Sequence, residues 1–106
     1  MSRAKQLIEA YMQNTLLASV PNLPGYQKRA NDYDVIYLKV LNNGFSFSAY
    51  FVLDDLEKHG RAEVTFDVVQ NKVELASFKE TIRDIRDIKS VVAKFERKGM
   101  QVLNSN

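Results

Sequence analysis

Two strand-like runs, residues 34–41 (DVIYLKVL), rich in β-branched and aromatic residues, and 45–53 (FSFSAYFVL), alternating at its start, flank the tripeptide Asn42-Asn43-Gly44. Alternation has the period of a strand with one buried face, and Asn and Gly tolerate the positive φ angles of a tight hairpin turn. The chain is thereby committed to antiparallel sheet. A second pair of runs, residues 61–69 and 72–76, turns at Gln70-Asn71 and places Val64, Phe66 and Val68 on one face with Val73 and Leu75. For the first hairpin, a two-residue loop at Asn42-Asn43 or at Asn43-Gly44 sets Ile36, Leu38 and Val40 on the face of Phe45, Phe47, Ala49 and Phe51.

Helical spacing brackets these hairpins. Residues 2–19 carry Ala4, Leu7, Ile8, Tyr11, Met12, Thr15 and Leu16 at intervals of three and four, with Ser2 as N-cap and Pro21 as stop. Residues 77–99 read as a second helix: Ser77 and Glu80 form a capping box, Phe78, Ile82, Ile85, Ile88, Val92 and Phe95 form an apolar stripe, and Gly99 closes it. Residues 21–34 hold two Pro, a Gly and no sustained period, so they read as a long loop. Residues 54–60 read as a short helical turn or loop stopped by Gly60. The expected fold is one α+β domain over residues 1–106. It has a four-stranded antiparallel sheet of two hairpins with an N-terminal and a C-terminal helix packed on one face, in the order α-β-β-β-β-α.

The stretch from Asn43 to Tyr50 resembles the RNP1 signature of RNA-recognition motifs at Gly44, Phe45, Phe47 and Tyr50. In that family these aromatic residues would face a base. Here Phe45, Phe47 and Phe51 share a face opposite Ser46, Ser48 and Tyr50. Burying each Phe stabilises by roughly 1.5–3 kcal/mol, so the reverse orientation would forfeit much of the stability of a small domain. The helix-first order also departs from the β-α-β-β-α-β order of that family. The three Phe are assigned to the core.

Composition closes several routes to function. The 106 residues include no Cys, which removes disulfides, thiolate metal sites and cysteine nucleophiles. His59 is the only histidine, so a His-based zinc site lacks a second such ligand, and no Walker loop, dinucleotide turn or nucleophile elbow occurs. No catalytic residue, metal or cofactor is assigned, and the chain is read as a non-enzyme. No apolar run approaches the roughly 18 residues of a membrane span, so a cytoplasmic protein without membrane partners is expected.

Two surfaces remain. The face opposite the Phe would carry Val35, Tyr37, Tyr50 and Val52 near one end, an apolar cluster suited to a protein interface, most economically with a second copy. On the expected C-terminal helix, Lys79, Arg83, Arg86, Lys94 and Arg97 fall in one sector, and Lys28 and Arg29 of the loop would extend a basic surface able to track phosphates. Pairing with the neighbouring acids, such as Arg83 with Asp87 and Glu80 with Arg83, would instead solvate the helix. The charge distribution suits either reading, with residues 32–76 net acidic and both flanks net basic. The leading expectation is a small binding or regulatory protein that homodimerises through the open sheet face. The alternative is a nucleic-acid-binding protein using the basic stripe.

Overall fold

A computed structural model describes residues 18–31 and 33–105. Five strands form one antiparallel sheet in sequence order: β1 (Gln27–Ala30), β2 (Asp34–Val40), β3 (Phe45–Val52), β4 (Ala62–Gln70) and β5 (Val73–Ile82). Helix α1 (Leu53–His59) links β3 to β4, and helix α2 (Ile88–Ser105) follows β5 after a 3-10 turn at Ile85–Asp87. The class is α+β with an antiparallel sheet, as expected, but with five strands rather than four. The helix expected over residues 2–19 lies outside the described residues except for Ala18 and Ser19, which are helical.

The added strand is β1, within the stretch read as a loop. Its four residues are all exposed and polar or small, so they carry no alternation to detect. What defines it is the turn into β2, where the Asn31 side chain accepts hydrogen bonds from the backbone N–H groups of Tyr33 (2.8 Å) and Asp34 (2.9 Å).

The β2–β3 loop has three residues, not two. Leu41 N–H donates to the Phe45 carbonyl (2.8 Å), and Asn43 (φ 63°) and Gly44 (φ 78°) both occupy the left-handed region. One residue more in the loop shifts the pairing parity, so Val35 faces Phe51, Tyr37 faces Ala49 and Lys39 faces Phe47. Val35 and Tyr37 are therefore fully buried on the helix-covered face, and the expected cluster of Val35, Tyr37, Tyr50 and Val52 is split between the two faces. Ile36, Leu38 and Val40 lie on the outer face.

The largest departure concerns residues 77–82. Ser77 does not cap a helix: its hydroxyl donates to Asp67 on β4 (2.6 Å), and Phe78 stands opposite Phe66 in a strand that runs to Ile82. Val64, Phe66 and Val68 are buried on β4, whereas Val73 is exposed at the hairpin end, and a bulge at Val68/Val69 leaves Leu75 without a partner on β4. The tight turn lies at Asn71 and Lys72, both with positive φ. The spacing of Phe78, Ile82, Ile85 and Ile88 imitates a helix, but ladder bonds to nine-residue β4 and burial of Phe78 against Phe95 decide the strand.

Helix α2 is introduced instead by Asp84, whose carboxylate accepts from Arg86 N–H (2.8 Å) and holds the Arg86 guanidinium at 2.7 Å. The Arg86 side-chain hydrogen bond, then its backbone N–H and its charge, pull the Asp84 carboxyl down to about 2. A lowered native pKa means that the anchoring is complete above the ordinary carboxylate value and is lost only as pH falls through about 2. Carboxyl-detected NMR titration of Asp84 should give that low midpoint, and Arg86→Ala should return it towards an ordinary carboxylate. A wild-type midpoint near 3.8 would contradict this anchoring.

The core lies between the sheet and α2. Phe47, Phe66 and Phe95 are fully buried with ring centroids 5.3 and 5.4 Å apart, and Phe78 stacks on Phe95 at 6.2 Å. Phe51 stacks on Tyr37 at 6.3 Å, while Phe45 is half-buried at the hairpin end. Gly99, expected to end the helix, sits in its interior against Phe47 and Phe66, so α2 continues for six residues beyond it, to Ser105. At α1, Gly60 adopts the left-handed cap expected of it, with its N–H on the Leu56 carbonyl.

Candidate interaction surface

Antiparallel pairing brings residues of neighbouring strands onto one face in rows. On the outer face these rows read Arg29, Ile36, Tyr50, Thr65 and Lys79, then Gln27, Leu38, Ser48, Asp67 and Ser77. A third row joins Val40, Ser46, Val69 and Glu74. Ile36, Leu38 and Val40 thus form a continuous aliphatic column along β2, with Tyr50 beside Ile36. Val40 is 74% exposed, and Ile36 and Tyr50 are each 37% exposed. Val52 is half-buried beside Asp34 at the end of the same face. The Tyr50 hydroxyl donates to Asp34 (3.1 Å). Partial desolvation, that hydrogen bond, and the charges of Asp34 and Asp55 raise its pKa, so it stays a neutral donor.

Of the four residues expected to form the interface, only Tyr50 and Val52 reach this face. Residues 34–41 are apolar at both parities, so their side-chain types cannot choose the buried set. The loop length chooses it, and Asn42-Asn43-Gly44 suits two-residue and three-residue turns alike.

The expected basic stripe is dispersed, because β5 takes residues that the helix was to hold. Lys79 is on the outer face of β5 and pairs with Glu63 at 3.7 Å. Arg83 lies in the bend after β5, and Arg86 is engaged by Asp84. Lys94 and Arg97 alone are on α2, and Lys94 pairs with Glu80 at 3.0 Å. Lys28 and Arg29 are on β1, where the Lys28 ammonium donates to the Val20 carbonyl (3.3 Å) and Arg29 shares the outer face with Ile36. The expected pairings of Arg83 with Asp87 and of Glu80 with Arg83 give way to Arg86 with Asp84 and Glu80 with Lys94.

A polar clasp on the inner side joins the first described residues to α2. Glu96 accepts from the Tyr26 hydroxyl at 2.8 Å and pairs with Lys39 at 3.1 Å. The Lys39 ammonium lies 5.4 Å from the Tyr26 ring centre, and Tyr37 donates to the Pro21 carbonyl. Burial, then the hydrogen bond and charge of Glu96, push the Tyr26 pKa up, and burial does the same for Tyr37. Both phenols are held as neutral donors, so the cluster is built for structure.

His59 borders a shallow depression with Asp55, Arg61 and Glu63, at the junction of α1 and β4. Among the described residues, no group of three or more His, Asp or Glu side chains is placed to hold a metal. No described helix is long and apolar enough to cross a membrane. No family model matches the chain, and neither does a curated protein or a solved structure.

Proposed function

We propose that this is a small, non-enzymatic binding or regulatory protein of the cytoplasm that acts by protein–protein contact, pairing with a second copy through the outer face of its sheet. The column of Ile36, Leu38 and Val40 with Tyr50 carries this reading, since aliphatic side chains on the solvent face of a strand lose transfer free energy unless something covers them. Two copies stacked face to face would bury both columns with one self-complementary contact. The polar border of Arg29, Glu63, Asp67 and Lys79 supplies the rim that such interfaces carry around an apolar centre.

Sedimentation equilibrium should give twice the chain mass. Val40→Glu should weaken self-association by roughly 30-fold or more, the range of a central interface residue, while the circular dichroism spectrum is unchanged. A monomer at high micromolar concentration, insensitive to this substitution, would overturn the reading. Nucleic-acid binding through the bases is the weaker alternative, because Lys79, Arg86 and Lys94 are already paired with carboxylates. Salt-sensitive gel retardation, reduced by Arg83→Glu with Arg97→Glu, would favour it instead.

A further inference from the structure

The two edges of the sheet are unequal. β1 is four residues long and carries Lys28 and Arg29, the kind of short, charged edge that resists further pairing. β5 is ten residues long, and from Ala76 to Ile82 its register with β4 is regular, so alternate backbone N–H and C=O groups face outward along an unbroken stretch. No other described strand pairs with that edge. Two of its charges are engaged by neighbours, Lys79 by Glu63 on β4 at 3.7 Å and Glu80 by Lys94 on α2 at 3.0 Å, while Glu74 is exposed beside the bulge.

Beside this edge runs a groove of about 540 Å³ between β5 and α2, lined by Leu75, Phe78, Lys98, Gln101, Val102 and Ser105. The helix residues are spaced three and four apart, so one stripe of α2 forms the far wall. Leu75, Phe78 and Val102 are half-buried and supply an apolar floor. Lys98 lies over the Phe78 ring at 5.5 Å and, unlike Lys79 and Lys94, has no carboxylate partner among the described residues.

We infer that the β5 edge and the β5–α2 groove form a second binding surface, which takes an extended segment of a partner protein as a sixth strand. Main-chain hydrogen bonds to β5 hold the segment, and every second side chain turns into the groove. The groove selects aliphatic side chains for the floor of Leu75, Phe78 and Val102, and the unpaired Lys98 selects a carboxylate beside them. The occupant is therefore a segment with apolar residues at alternate positions followed or preceded by an acid on the same face. This surface is separate from the outer face proposed for self-association.

The test uses the full chain and two capped synthetic heptapeptides, TLTLTDT and its reverse TDTLTLT, titrated against amide NMR spectra. One or both should shift the amides of Val73–Ile82 and of Lys98 and Val102, leaving Ile36, Val40 and Tyr50 unmoved. Replacing both peptide Leu by Ser should weaken binding at least about tenfold, from the loss of buried aliphatic area. Lys98→Glu, an exposed change that spares the core, should weaken the Asp peptides about threefold and favour peptides in which that Asp is replaced by Lys. Val40→Glu should leave peptide binding intact, so failure of the dimer and failure of this groove are told apart. Shifts centred on the outer face, no shifts at millimolar peptide, or indifference of both charge variants to Lys98→Glu would overturn the inference.

Discussion

Phe66→Ala should lower the free energy of unfolding by about 3–5 kcal/mol, a large share of what a domain of this size has. The ring is fully buried and lies 5.3 Å from Phe47 and 5.4 Å from Phe95, so it joins the central strand pair to the helix. Its removal costs the transfer free energy of the ring, leaves a cavity that its two stiff ring neighbours cannot fill, and ends two aromatic contacts. Urea unfolding followed by circular dichroism should show the fall as an earlier midpoint. Phe45→Ala, at a half-buried position outside this stack, should move the midpoint far less. Equal effects of the two substitutions would refute the placement of the core.

Gly99→Val should destabilise by about 3 kcal/mol, although a residue with a side chain is the better helix former. A Cβ at this position would stand 2.8 Å from Cε1 and 3.0 Å from Cζ of Phe47, and 3.4 Å from Cε1 of Phe66. Phe47 is itself fully buried, so its ring has no room to swing away. The choice of glycine here reflects close approach of helix to sheet, not a left-handed cap. Thermal unfolding should drop by roughly 12–24 °C, following the usual relation for a domain of this length. Gly99→Ala should fall between wild type and valine, since its gain in helix propensity of about 1 kcal/mol offsets part of the clash. An unchanged melting temperature for valine would show that α2 sits further from the sheet than described.

These two positions also show what the sequence could and could not reveal. Phe47, Val64 and Phe66 are legible as core because each is flanked by polar residues of opposite parity, so only one face can be buried, and Phe51 and Val68 follow by parity on the same strands. Val35 and Tyr37 are not legible, because Ile36, Leu38 and Val40 would fill a core equally well and one loop residue decides between the sets. Phe78 and Ile82 satisfy both periods, and the choice of strand comes from pairing with β4, a long-range effect with no local trace. The same ambiguity carried Lys79, Arg83 and Arg86 onto a helix they do not join. Gly99 reads as a helix stop by residue type, whereas its structural reason is a ring 52 positions earlier. β1 was silent because a strand exposed on both faces has no pattern.

The order of the five strands along the sheet has a consequence for how the chain assembles. Each strand lies beside its immediate sequence neighbour, so every ladder closes over a loop of a few residues, or over the one short helix α1. Loop-closure entropy is smallest for such connections, and the meander can extend one strand at a time from either hairpin. The clasp is the opposite case, for Glu96 reaches Lys39 across 57 positions and Tyr26 across 70. It joins the start and end of the described chain only once the sheet between them exists, and acts as a latch on a structure whose other pairings are made by neighbours.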